Sequence, residues 1–259
     1  MSAKFVGIIP ARYASSRLPG KPLMEIGGKP IIRHVYERVR EVLPGSVLVA
    51  TDDERIMQAV RDFGGHAVMT SPDHASGTDR VYEAFAKSGY DADVVLNIQG
   101  DEPFISPDQI RAMMAAFDSA EVDIATTIIP FTTDNASPPD LSNPNNVKAV
   151  KAADGRIIYF SRSIVPFSRD LREGELLSSG RYYKHLGMYA YRAKVLSEIT
   201  RLPESPLEKS ERLEQLRWLE AGYRIQAVVS REMTIGIDTP SDLEEARTFY
   251  EKLLNGIQD

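Results

Sequence analysis

Residues 5–23 read FVGIIPARYASSRLPGKPL. Phe5 to Ile9 is a short apolar run ended by Pro10, the pattern of a buried β-strand. A Gly/Pro/Ser loop follows, carrying Arg12, Arg17 and Lys21. Pro30 then opens a helical pattern through Ile31, Val35, Val39 and Leu43, closed by Pro44-Gly45. Strand, polar loop and helix together make one half of a strand–helix–strand unit, and the next strand, SVLVAT, arrives on schedule.

The alternation continues outward. Asp52-Asp53 begins a second helix with Ile56, Ala59, Val60 and Phe63 on one side, ending at Gly64-Gly65. HAVMT reads as a strand, TDRVYEAFAKSG as a helix, and DVVLNIQG as a strongly apolar strand that runs into DEPF. A helix after Pro107 and the strand DIATTIIPF complete the series. Short apolar strands separated by amphipathic helices predict an α/β fold: a three-layer α/β/α arrangement with a mainly parallel central sheet, Rossmann-like, covered on both faces. Ligands of such sheets bind beyond the carboxyl ends of the strands. Both PARYASSRLPGK and QGDEP follow strand ends, which predicts one shared rim.

Past residue 125 the pattern changes. TTDNASPPDLSNPNN reads as a turn-rich loop, and VKAVKAADGRIIYFSR as two strands around an Asp154-Gly155 turn. YYKHLGMYAYR is an aromatic strand, which suggests a pocket wall or a subunit contact. LEKSERLEQLRWLEAG returns to helix and RIQAVVS to strand. TPSDLEEARTFYEKLL closes as a helix capped near Thr239 or Ser241. With no internal repeat and no linker, residues 1–259 read as a single domain with a β-rich excursion over about 125–190.

Composition narrows the functions. The chain has 42% apolar and 26% charged residues, as an ordinary globule has. Its formal net charge of −6, with basic residues scattered, argues against a nucleic-acid-binding face and leaves a small phosphorylated ligand open. The absence of Cys excludes a disulfide framework, a thiolate nucleophile and a Cys-based zinc site. No run approaches the ~20 apolar residues of a membrane span, and the first residues do not form a signal peptide, so a cytoplasmic location without membrane insertion is expected.

The opening loop lacks the glycine spacings of a P-loop or a dinucleotide fingerprint. Backbone amides around Ser15-Ser16, the permissive Gly20 and the cations Arg12, Arg17 and Lys21 can cradle a phosphate, and a solvated loop fits equally well. Asp101 supplies a second clue. A rim carboxylate facing a polyphosphate would repel it unless a divalent ion lay between, and Mg²⁺ takes one or two carboxylates plus phosphate oxygens. Asp238, in IGIDTP, is placed alike. Each acid could instead cap the helix that follows. His185 amid tyrosines reads first as a packing residue. Arg162 could bind a carboxylate bidentately or pair with a surface acid. Glu214 and Gln215 lie on a helix where a solvent-facing role is the default.

The blocks IIPARYASSRLPGKPL, HASGTDR, NIQGDEP, NPNNVKAV, YFSRSIVPF, KHLGMYAYR, PLEKSERLEQLRWLEAG and GIDTPSDLE, spread over the whole chain, resemble the 3-deoxy-manno-octulosonate cytidylyltransferases, a family of nucleotide-sugar nucleotidyltransferases. The resemblance implies the nucleotidyltransferase version of the α/β fold. It also implies transfer of CMP from CTP to the anomeric 2-hydroxyl of 3-deoxy-manno-octulosonate (Kdo), with Mg²⁺ as cofactor. On it, Arg12 and Lys21 hold the triphosphate and Arg17 assists the leaving pyrophosphate. Pro10, Ala11, Ser15 and Arg80 contact the nucleotide, Arg80 on the cytosine side. Asp101 and Asp238 carry Mg²⁺. Gln99, Arg162, His185, Tyr189, Glu214 and Gln215 match sugar-binding positions, and a homodimer is implied, with the excursion at its interface.

Two local departures stand out. Asp79 replaces the family's usual Glu, a neutral change, while Ser210 and Arg212 occupy a helix that normally reads more apolar near the sugar-binding end, which makes an 8-amino analogue of Kdo an alternative acceptor. Sialic acid, which also presents a carboxylate beside an anomeric hydroxyl, is another. A non-catalytic nucleotide or sugar sensor is the alternative of a different class.

Overall fold

The computed structural model describes residues 3–14, 18–230, 232 and 235–255. The chain forms two compact units, Met1–Arg111 with Thr234–Asp259, and Ala112–Met233.

The first unit opens with β1 (Phe5–Ala11), the short strands β2 (Glu25–Ile26) and β3 (Lys29–Pro30), and α1 (Ile31–Val42). It continues with β4 (Val47–Thr51), α2 (Glu54–Asp62), β5 (Ala67–Met69), α3 (Gly77–Ser88), β6 (Val94–Asn97) and the first residues of α4 (Pro107–Ala115), within which the division at Arg111 falls. In the second unit follow β7 (Ile124–Pro130), α5 (Pro138–Ser142), β8 (Lys148–Lys151), β9 (Ile157–Ser161) and β10 (Tyr183–Arg192). Then come α6 (Ala193–Ile199), α7 (Pro206–Glu211), α8 (Gln215–Glu220) and β11 (Ile225–Val229). The chain returns to the first unit with α9 (Pro240–Leu254).

In the first unit the strands stand in the order β6-β1-β4-β5, every pair parallel. All residues of β4 and β6 are buried. Burial of consecutive residues on a strand requires cover on both faces, so the near-continuous apolar runs read from the sequence mark the middle layer of an α/β/α stack. The helices supply the cover through periodic faces such as Ile31, Ile32, Val35 and Val39 of α1 and Ile56, Met57 and Val60 of α2. Gly89 ends α3 in the left-handed conformation that a helix C-terminus favours. Leu18, Ile26, Ile31, Ile237, Leu243 and Ala246 form a further apolar cluster that ties the opening loop and the β2–β3 hairpin to α9.

The second unit holds a mixed sheet. β11 pairs parallel with β7, while β7–β10, β10–β8 and β8–β9 are antiparallel. The Asp154-Gly155 turn lies between β8 and β9 as expected, closed by Gly155 N–H to the Ala152 carbonyl at 3.1 Å.

Two readings need correction. The stretch expected as a turn-rich loop contains α5, started by Pro138 and held by a capping box between Ser137 and Asp140. LEKSERLEQLRWLEAG, expected as one helix, is two. α7 ends at Arg212, which adopts φ 53 and ψ 47, and α8 starts three residues later. A left-handed residue ends a helix by directing its N–H back to an earlier carbonyl, here Arg212 N–H to Glu208 O at 2.7 Å. Arginine has no intrinsic preference for that conformation, so composition carried no sign of the break.

Candidate active site

The register of three neighbouring strands builds one end of the site. Ala11 of β1 pairs with Thr51 of β4, and Thr51 pairs with Met69 of β5. One residue further on, at the carboxyl rim, stand Arg12, Asp52 and Thr70. α3 delivers Arg80 to the same row. Its guanidinium is 1% exposed, with Nη2 donating to Asp52 Oδ2 at 2.7 Å and Nη1 to Thr70 Oγ1 at 2.6 Å. Thr70 Oγ1 in turn donates to the Thr51 carbonyl at 3.1 Å. The other carboxylate neighbour is Arg12, whose Nε lies 3.6 Å from Asp52 Oδ2 while half of its side chain faces solvent. Asp52, read from the sequence only as the start of α2, does not cap that helix. The cap is Asp53, which accepts from Arg55 N–H. The available signal was positional, since Asp52 follows β4 as Arg12 follows β1.

The other end is a cation between two acids. Lys21 Nζ is 2.6 Å from Asp101 Oδ2 and 3.2 Å from Asp238 Oδ1, with the lysine side chain only 13% exposed. Gly20, at φ 72, precedes Lys21 and turns the chain into a single 3-10 turn, a conformation that favours glycine. Asp101 follows Gly100, where a Cβ would lie 2.7 Å from the Pro10 carbonyl oxygen. The missing side chain lets the segment after β6 press on the end of β1. Ile237 N–H then donates to the Asp101 carbonyl at 3.0 Å, which brings Asp238 alongside.

Neither acid caps a helix. Thr239 and Asp242 form the capping box of α9, and Asp238 uses its own N–H on Asp242. At the start of α4, Ser106 Oγ accepts from Asp108 N–H. Both carboxylates instead face the Lys21 ammonium. Among the described residues no group of three or more His, Cys, Asp or Glu converges as a metal cage. Two carboxylate oxygens gathered around one positive charge are hard donors of the kind that would suit Mg²⁺.

Pro10 and Ala11 form the end of β1, and Gln99 is half-buried after β6. Ser15 and Arg17 lie outside the described residues.

The remaining candidates belong to the second unit. His185 and Tyr189 both lie on β10, either side of a register shift, with ring centroids 5.2 Å apart. Phe160 approaches the imidazole from β9 at 5.0 Å. This apolar surround pushes the imidazole down to about 4, so it is neutral at pH 7. Thr126 Oγ1 donates to the Met188 carbonyl at 2.8 Å, so at 3.0 Å it accepts from His185 Nε2–H. That fixes the tautomer and leaves Nδ1 as an acceptor. Burial, with Tyr191 and Glu214 nearby, raises the Tyr189 phenol and keeps it protonated. Trp218 meets Tyr189 edge-on at 5.2 Å, and its buried indole N–H has no hydrogen-bond partner among the described residues. A buried donor left so is unfavourable unless a ligand or water takes it.

Arg162 is committed to the backbone. Its Nε donates to the Glu211 carbonyl at 2.6 Å, Nη1 to the Pro144 carbonyl at 3.0 Å and Nη2 to the Arg212 carbonyl at 3.3 Å. Glu211 returns the contact, accepting from Ser161 Oγ at 2.7 Å and Arg162 N–H at 2.9 Å. The clamp holds the α7–α8 break, beyond which Glu214 and the buried Gln215 begin α8. Glu211, Thr126 and Trp218 were not singled out in the sequence because each acts through contacts distant along the chain.

Comparison with known proteins gives a consistent result. The cytidylyltransferase family profile matches residues 6–228. A 3-deoxy-manno-octulosonate cytidylyltransferase of Parabacteroides distasonis is 56% identical over 246 residues, 95% of this chain and 98% of its own. One of Bacteroides thetaiotaomicron is 56% identical over 248 residues, 96% and 98% of the two chains. Among solved structures, CMP:2-keto-3-deoxy-manno-octonic acid synthetase complexed with CTP superposes with a TM-score of 0.87 at 43% identity, covering 97% of this chain and all of its own.

Proposed function

The chain belongs to the cytidylyltransferase family, among its 3-deoxy-manno-octulosonate enzymes, and from that premise we propose how its residues divide the work of the reaction. The enzyme transfers CMP from CTP to the anomeric 2-hydroxyl of Kdo, releasing diphosphate and supplying CMP-Kdo for lipopolysaccharide biosynthesis. A bond forms between the sugar oxygen and the α-phosphorus as the bond to the β-phosphate bridging oxygen breaks. The hydroxyl proton passes to solvent.

The observation that carries the assignment is the cation held between Asp101 and Asp238 at the carboxyl rim of the sheet. In the working complex Lys21 and Arg12 hold the triphosphate, with Arg17 on the leaving diphosphate. Phosphoryl transfer asks for positioning and charge neutralisation more than covalent chemistry, so fixed cations suffice without an enzyme nucleophile. Asp101 and Asp238 would hold Mg²⁺, which when bound acidifies the sugar hydroxyl and organises the triphosphate.

Pro10, Ala11, Ser15 and Arg80 shape the nucleotide side. Gln99, His185, Tyr189, Glu214 and Gln215 take the sugar, with His185 Nδ1 accepting from a hydroxyl and the Tyr189 phenol able to donate. Arg162 contributes the stiffness of the α7–α8 break, and its guanidinium hydrogens not spent on carbonyls remain for the Kdo carboxylate. The protein acts as a homodimer in the cytoplasm. No helix of the described residues is long and apolar enough to cross a membrane.

The test is pyrophosphate release with CTP and Mg²⁺, comparing Kdo, its 8-amino analogue, sialic acid and a no-sugar control. Release with Kdo, abolished by chelation and restored by Mg²⁺, is expected. Preference for the amine would keep the chemistry and change the acceptor. CTP binding without turnover on any sugar would replace the transferase with a sensor.

A further inference from the structure

The row of residues one step beyond β1, β4 and β5 contains a charge that the reaction described above does not use. Asp52 is 12% exposed at its side chain, and one of its oxygens, Oδ2, faces two guanidiniums: Arg80 at 2.7 Å and Arg12 at 3.6 Å. These are the two arginines assigned to the nucleotide. If Asp52 only neutralised the buried Arg80, nothing would require it to reach Arg12, which is half exposed and solvated. Placing both on one oxygen restricts the Arg12 side chain before the ligand arrives, and restricting a long side chain in advance removes an entropy loss from binding.

We propose that Asp52 is a positioning residue for CTP: by holding Arg80 in the layer beneath, it presents a fixed carboxylate that orients the Arg12 guanidinium toward the triphosphate. The strand register enforces this. Ala11 and Thr51 are paired, so the residues after them emerge side by side from adjacent parallel strands, and a change of register would separate them. Thr70 completes the row as a neutral support. It touches Arg80 and the Thr51 carbonyl.

This inference rests on the proposed function, and its test is built on binding so that the two can fail separately. The dissociation constant for CTP with Mg²⁺ and no sugar is measured for the wild type, Asp52→Asn, Thr70→Val, Arg12→Met and the Asp52→Asn/Arg12→Met pair. Asp52→Asn is expected to weaken CTP at least about tenfold, roughly 1.4 kcal/mol, and Thr70→Val less than about threefold. In the Arg12→Met background, Asp52→Asn should add less than about twofold, because Asp52 acts through Arg12. Effects that multiply in the double variant, or wild-type affinity in folded Asp52→Asn, would overturn the proposal.

Should Asp52→Asn not fold, Asp52→Glu takes its place. It retains the charge on Arg80 and displaces the oxygen, and unchanged CTP affinity in that folded variant would likewise overturn the idea. A wild type that binds CTP but turns over no sugar would end the transferase reading and leave the binding cycle to be read by itself.

Discussion

Lys21, Asp101 and Asp238 come from three distant parts of the chain and meet around one positive charge. Asp101 and Asp238 keep 29% and 49% of their side-chain exposure, so removing one carboxylate need not disturb the core. Asp101→Asn is therefore expected to stay folded, with a melting temperature near wild type, while Mg²⁺-dependent pyrophosphate release falls by about 100-fold or more. Near-normal turnover in the folded variant would remove Asp101 from the metal site.

His185 makes a different prediction. Its imidazole sits at about 4 in the folded protein against an ordinary value of 6.5, lowered by burial. The unfolded chain therefore binds an extra proton between those values, and stability rises with pH across that window. The contribution is complete above pH ~6.5 and is lost as the pH falls toward 4, by roughly 3 kcal/mol at most. Glu83 titrates lower, at about 2, held there against its partial burial by Lys87, Ser71 N–H and His74, so its own loss belongs below pH ~4.5. Urea unfolding of wild type and His185→Asn at pH 7 and pH 5 separates the two groups. The difference between the pH values should shrink in the variant, and an unchanged difference would place the acid sensitivity elsewhere.

At the scale of elements, one backbone position in each unit carries a prediction. Gly100 lets the segment after β6 approach the Pro10 carbonyl, and a Cβ there would meet backbone at 2.7 Å. Gly100→Ala is thus expected to destabilise by about 1–3 kcal/mol and to raise KM for CTP, since the end of β1 must shift; thermal melts and CTP titration read both. Arg212 ends α7 in the left-handed region. Replacing it with Gly should change stability by less than about 1 kcal/mol, the relief of strain offsetting the added freedom of the unfolded chain. A β-branched Val at that position should cost more, about 1–2 kcal/mol, and should raise KM for Kdo with little change for CTP.

The same two positions mark the limit of what the sequence discloses. The strand ends that lead to Arg12 and Asp101 were legible because buried parallel strands are apolar runs and their exits are polar. Asp238, expected at the end of a late strand, instead follows an irregular segment between β11 and α9 and is placed by the hydrogen bond from Ile237 N–H to the Asp101 carbonyl. The pairing of Asp52 with Arg12 was not legible, since it follows from register between strands, which no local pattern encodes. The α7–α8 break was hidden for a similar reason: Arg162 and Ser161 impose it through Glu211 from about fifty residues away. Helical periodicity within residues 205–222 gave no reason to interrupt it.

For the molecule as a whole, the question is what a chain with net charge −6 gains from exposing apolar groups in its β-rich part. Phe167 is 88% exposed, in the loop after β9, and Ile158 of β9 is 53% exposed. Scattered exposed apolar residues are ordinary, but a largely exposed phenyl followed along the chain by Arg169 and Arg172 has the composition of an interface segment, in which aromatics and arginine are enriched. In a twofold dimer each such residue appears twice, so one substitution alters two contacts. Phe167→Glu places two carboxylates at the expected contact. It is therefore expected to raise the dimer dissociation constant at least about tenfold, or ~1.4 kcal/mol, and sedimentation velocity across a concentration series reads it directly. The fold of each chain should be unaffected, because the side chain is 88% exposed, and circular dichroism should overlay with wild type. A variant that sediments as the wild-type dimer would clear Phe167 of any interface role. A wild type that is monomeric at working concentrations would show that one chain suffices for catalysis and leave the exposed phenyl to another partner.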